Sequence, residues 1–150
     1  MHAATLERGR KVDRLLAHYA ESHRHPTNEL IHVVAIPAIM LSIVGLCHAL
    51  HPWAAYAVLA ASLVYYALLR SPVFLLTMAV WSVLLLALVR AMGEHALAIS
   101  LAIFVVGWIF QFIGHRIEGK KPSFFEDVQY LWVGPLFVAS LGFRRLGVRW

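Results

Sequence analysis

Residues 30–69 read LIHVVAIPAIMLSIVGLCHALHPWAAYAVLAASLVYYALL, without a single Asp, Glu, Lys or Arg. A helix that crosses the hydrocarbon core of a bilayer needs about 20 apolar residues. The stretch therefore accommodates two crossings. His51-Pro52 is the natural break, because proline opens a helix far more readily than it continues one. Outward from this stretch, Ser71 to Val89 and His95 to His115 are also free of charge, and each matches one crossing. Val128 to Phe143 is a further uncharged run, but it is short and carries Gly134-Pro135. Over the 150 residues, 61% are hydrophobic and 14% charged, with a mean hydropathy of +0.71; a soluble domain carries roughly 25% charge. The pattern predicts one all-α integral membrane domain over 1–150, a polytopic bundle of about four transmembrane helices near 29–50, 53–69, 72–90 and 95–115.

The flanks differ in character. Over 6–23, Val12, Leu15, Leu16, Tyr19 and His23 follow helical spacing, with Lys11, Arg14, His18 and Ser22 opposite them. This predicts an amphipathic helix that lies on the membrane surface or docks on the bundle. Pro26 ends it, and Thr27 or Asn28 is expected to cap the next helix. At the other flank, Ser123 and Glu126 have capping-box spacing. A helix is expected from Phe124, broken at Gly134-Pro135 and re-entrant or interfacial. The polar residues 1–29 do not resemble a cleaved leader. Cys47 has no partner for an internal disulfide. The net charge of +5 sits beside apolar segments, so it points to lipid headgroups rather than nucleic acid. The Lys and Arg distribution places both termini on the cytoplasmic side, with Arg90 discordant.

Nine histidines are many for this length. His2 and His18 belong to the polar arm. His48, His51 and His95 fall near the outer ends of spans. His23, His25, His32 and His115 are different: His23 continues the apolar stripe, His32 opens the first span and His115 closes the fourth. Four spans, an even number, separate His32 from His115, so both reach the cytoplasmic layer of the arm. Gln111 and Glu118 lie four before and three after His115, on its helical face. Imidazoles with a carboxylate suit non-haem iron, and three imidazoles with a water suit zinc.

Other readings stay open on these residues. The histidines could be interfacial groups of a small membrane scaffold or lipid-binding protein. A histidine-box di-iron enzyme would need about eight clustered ligands, and a transporter would want ionisable groups near the midplane. Glu118 could pair with Arg116 or Lys120. Lys120 and Lys121 mark orientation or hold a substrate carboxylate, and Tyr19 and Trp108 read as packing or interfacial aromatics. No HExxH, CxxC, phosphate-binding glycine loop or nucleophile elbow occurs.

Two stretches carry a resemblance. One is Tyr19-Ala20-Glu21-Ser22-His23 with His25-Pro26-Thr27-Asn28, Ile31-His32 and Pro37. The other runs from Gly107-Trp108-Ile109-Phe110-Gln111 through Gly114-His115 to Glu118-Gly119-Lys120-Lys121-Pro122-Ser123-Phe124-Phe125. Together they resemble the membrane 2-hydroxy-fatty-acid dioxygenase family, whose characterised fungal relative acts in phytosphingosine breakdown. Arg24 and His25 depart from that relative, which carries His and Asn there. The resemblance implies an Fe(II)-dependent enzyme that shortens a 2-hydroxy fatty acid by one carbon with O2. It implies His23, His32 and His115 as iron ligands. Asn28, Gln111 and Glu118 are then candidates to orient the histidines, with Glu118 also a candidate fourth ligand. Lys120, Lys121 or Arg116 would meet the substrate carboxylate. A compact bacterial member of the inner membrane is expected, or an endoplasmic reticulum protein if eukaryotic.

Overall fold

The structure, a computed structural model, describes residues 9–150, and among these it contains helices and no strand. Six α-helices follow one another: α1 (Lys11–Ala20), α2 (Pro26–Leu50), α3 (Pro52–Leu68), α4 (Pro72–Ala91), α5 (Ala96–Glu118) and α6 (Tyr130–Leu146). Short 3-10 turns at Gly93–His95 and Ser123–Phe125 precede α5 and α6. Proline opens α2, α3 and α4, where its missing N–H costs nothing. Three helical stretches, Pro26–Leu50, Pro72–Ala91 and Gly93–Glu118, are long and apolar enough to cross a bilayer. The expected second span, α3, has 17 residues and stands at the lower limit of spanning length.

α2 is the central helix, packed most extensively on α5 and also against α3, α4 and α6. Small residues set that first contact. Ser100, Gly107 and Gly114 recur every seven residues along α5 and face Gly45, Ile39 and Asn28 of α2. A side chain added at Gly107 would stand 2.7 Å from Ile39 Cγ1, and one at Gly114 would collide with Asn28 Oδ1. Close backbone approach through small residues is how helices associate where lipid removes the hydrophobic drive. Large apolar side chains such as Leu76, Val80, Val83 and Val106 point outward, as lipid-facing surfaces of such a bundle must.

The flanking helices differ from their expected bounds. Residues 6–8 lie outside the described residues, and α1 ends at Ala20 rather than at 23. Pro26 disfavours helical backbone at His25, which is extended. The chain therefore leaves α1 through a tight turn in which His23 N–H donates to Ala20 O at 3.1 Å. His25, not Thr27 or Asn28, caps α2, its Nδ1 accepting from Thr27 N–H at 3.2 Å. The stripe of α1 docks on the bundle: Val12, Leu16 and Tyr19 are buried with Val133, Leu136 and Phe137 of α6. Each such side chain contributes about 1.5–3 kcal/mol relative to exposure in water. The last helix starts at Tyr130, not Phe124, because Ser123–Phe125 closes into a 3-10 turn. Nor does Gly134-Pro135 break it. Neighbouring Val133, Leu136 and Phe137 are buried, and this packing outweighs the cost of a helical proline, about 3 kcal/mol.

Candidate metal centre

Three elements far apart in sequence deliver one imidazole each to the same place. His23 comes from the turn after α1, His32 from the second turn of α2 and His115 from the last turn of α5. All three are buried, and one ring nitrogen from each lies within 4.8 Å of the others. His32 Nε2 and His115 Nε2 face each other at 3.1 Å. The rings meet edge to face, with centroids 4.2 Å apart for His23–His32, 5.0 Å for His23–His115 and 4.8 Å for His32–His115.

The surroundings select one nitrogen on two of the rings. His23 Nδ1 donates to Tyr19 O at 2.7 Å and His32 Nδ1 donates to Asn28 O at 2.9 Å. Each acceptor lies four residues earlier in the chain. A ring whose Nδ1–H is held by a carbonyl presents a lone pair at Nε2, as metal-binding histidines do. His23 Nε2 is buried with no partner. Burial pushes the His23 pKa down to about 4, so the ring is neutral and ready to coordinate at physiological pH. Tyr19 fixes its tilt, stacking on it at 4.1 Å and 9°. Burial also raises the Tyr19 phenol pKa. This donor set fits a metal ion: three buried imidazoles, two with Nδ1–H held by a carbonyl and two, His23 at Nε2 and His115 at Nδ1, with a buried nitrogen that has no partner.

Glu118 stands beside the three rings and binds backbone and amide N–H groups. Its carboxylate accepts from Arg24 N–H at 3.0 Å, His25 N–H at 2.8 Å and Asn28 Nδ2 at 3.1 Å. The close group therefore comprises three histidines without it. No ion pair joins Glu118 to Arg116 or Lys120 among the described residues. Instead it ties the end of α5 to the turn bearing His23 and to the positive end of α2. Gly119, at φ +73, ends α5 immediately afterwards, and Lys120 N–H returns to His115 O at 3.2 Å. Asn28 is fully buried and also donates to Ser22 O at 3.0 Å. It thus joins His23's turn to Glu118 while its carbonyl holds His32.

Gln111 is buried and lines a cleft with His32, His115, Trp108 and Ser123. Lys120 and Lys121 are exposed and do not line it. His25 is outside the cluster as the α2 cap, and His18 pairs with Glu126 at 3.0 Å. Sequence reading missed Tyr19 as the support of His23 and Gly114 as the residue that lets Asn28 and His32 approach α5. The seven-residue spacing of Ser100, Gly107 and Gly114 was the available signal.

A family model described as 2-hydroxy-palmitic acid dioxygenase Mpo1-like matches residues 10–146. The chain belongs to the Mpo1-like family. Among its Mpo1-like relatives is the 2-hydroxy-palmitic acid dioxygenase MPO1 of Saccharomyces cerevisiae, 31% identical over 138 residues that cover 88% of this chain and 79% of the yeast protein. No solved structure matches the chain. The Mpo1-like match spans every element that carries the histidine cluster, from α1 through α6.

Proposed function

We propose that this protein is an Fe(II)-dependent dioxygenase that shortens 2-hydroxy fatty acids by one carbon at the cytoplasmic face of the membrane. The carrying observation is the convergence of His23, His32 and His115 at one end of an apolar bundle; family membership supplies the substrate class. The reaction balances with one O2 per turnover: RCH(OH)COOH and O2 become RCOOH, CO2 and H2O. His23, His32 and His115 would hold the iron, which would supply the redox chemistry with O2.

The chain's own residues do the rest. The Tyr19 and Asn28 carbonyls keep Nδ1 of His23 and His32 protonated, so that Nε2 is the coordinating atom. Glu118 and Asn28 hold the turn that carries His23. Phe137, 5.3 Å from the His23 ring, and Tyr19 exclude water from one side. The location also suits an amphiphilic acid, whose tail stays in an apolar phase while its head meets the histidines.

Metal analysis of the purified protein, wild type against His115→Ala, tests the reading. Near-stoichiometric iron lost in the variant, together with O2-dependent loss of one carbon from a 2-hydroxy fatty acid, is the expected result. Zinc in place of iron, or full turnover by the variant, would overturn it.

A further inference from the structure

Two apolar recesses compete for the substrate's tail. The larger, about 580 Å³, lies between α2 and α5 and is lined by residues such as Leu30, Val34, Ala102 and Val106. It touches none of the three histidines. Gly107 lines this recess and Ile39 lines the histidine cleft. Their close packing is the wall between the two.

The second route starts at the cleft itself, about 100 Å³. Ile36, Ile39, Met40 and Ile43 follow His32 at four, seven, eight and eleven residues, on one face of α2. Met40, Ile43 and Leu131 line both the cleft and a neighbouring cavity of about 310 Å³, bounded beyond them by residues of α3 and α4 such as Leu59, Met78 and Leu85. From His32 to Val44 the helix rises about 18 Å, more than half of the ~30 Å hydrocarbon thickness. Trp132 Nε1 bonds Ser62 Oγ at 2.9 Å and Tyr66 Oη bonds Trp132 O at 3.2 Å, fastening α6 to α3 along the second cavity. At the histidine end, Trp108 Nε1 and Gln111 Oε1 are buried without partners, and both residues line the cleft. Orphaned buried polar atoms are rare and call for an explanation. An indole N–H suits a carboxylate, and an amide oxygen suits a hydroxyl donor.

We propose that this second route is the acyl channel: Trp108 Nε1 donates to the carboxylate of a 2-hydroxy fatty acid, Gln111 Oε1 accepts from its hydroxyl, and the tail passes Met40, Ile43 and Leu131 into the cavity beside α3 and α4. Met40, Ile43 and Leu131 then set the accepted chain length. This assignment rests on the function proposed above and specifies where its substrate lies.

The test uses the full-length protein in liposomes and a 2-hydroxy fatty acid with a diazirine at its methyl end. After illumination, label is expected on peptides containing Leu59, Met78 or Leu85. Ile43→Trp removes that label and shifts preference to shorter acids, each methylene that no longer fits costing about fourfold in kcat/KM. Leu131→Trp, at a position 41% exposed, repeats the test if Ile43→Trp fails to fold. Ala102→Trp fills the outer recess and leaves both readouts unchanged. Trp108→Phe raises KM about ten- to hundredfold with bound metal unaltered. Label confined to peptides around Ala102 and Val106, or a wild-type chain-length profile in both tryptophan variants at the junction, overturns the channel while leaving turnover, and so the proposed function, intact. A labelled wild type that turns over no 2-hydroxy acid overturns the function and leaves the channel standing.

Discussion

Both ends of the α2–α5 pair carry histidines, and only one end brings three rings together. At one end His23, His32 and His115 are buried and converge. At the other, His51 caps α3 by accepting from Trp53 N–H at 3.2 Å. His95 lies 3.7 Å from Glu94 with both side chains mostly in solvent, and His48 is half-buried near the end of α2. The helical pair is common to both ends, so proximity in a layer does not create the cluster. The difference is cover. α1, the turn after it, Ser123–Phe125 and α6 close over the first end, whereas short turns join the helices at the second. Cover removes water from the rings, and the carbonyls of Tyr19 and Asn28 hold Nδ1 of His23 and His32, which turns Nε2 of each toward the cluster.

The strongest way to break the contrast is to remove a converging ring. His32→Ala should abolish bound metal and turnover, by the metal analysis and assay described above, with far-UV circular dichroism unchanged. A metal-loaded, active variant would erase the distinction between the two ends. Next comes Glu118→Gln, which keeps the shape but weakens the charge-assisted acceptor for three N–H groups. A 10- to 100-fold loss of metal affinity is expected, the usual cost of disturbing the groups that orient ligands, measured by competition with a chelator.

Gly114→Ala and Gly45→Ala compare the ends directly. At Gly114 the new methyl meets Asn28 Oδ1, and Asn28 is pinned by two hydrogen bonds. The variant should lose about 1–3 kcal/mol of stability, and metal affinity with it. At Gly45 the obstacle is the Ser100 hydroxyl, whose carbon lies 3.0 Å away. Rotating the hydroxyl relieves only part of the clash, because Ser100 Cβ is fixed to α5, so a comparable drop in Tm is expected, with metal affinity retained because this contact lies far from the histidines. Equal loss of metal in both would show that α2–α5 packing, rather than the local arrangement at Asn28, controls the site. The smallest effect belongs to His95→Ala. Metal content and turnover should match wild type and stability should change by no more than about 0.5 kcal/mol; an inactive variant would place the chemistry at the wrong end.

Much of the architecture was legible because it depends on composition over long windows. The charge-free runs locate α2 to α5 within a few residues, since a long apolar segment has few alternatives to a helix. The boundaries of α1 and α6 were less legible. Their ends depend on the turn forced by Pro26 and on the packing of Val133, Leu136 and Phe137, neither of which is a local propensity. His25 shows the same limit: beside Pro26 it reads like His23, but its ring caps a helix.

The sequence by itself determined that this chain is an apolar helical bundle and that His23, His32 and His115 share one layer, because hydropathy and the parity of crossings are properties of the chain's order. Only the tertiary structure decided that the three rings meet, that Glu118 binds the turn carrying His23, and that a cleft past Met40 and Ile43 leads away from them. Those outcomes hang on the distance between α2 and α5 and on which helix covers which end. Distance and cover follow from the fit of side chains such as Gly107 against Ile39 and Gly134 against Tyr19, and that fit exists only when all the helices are in place.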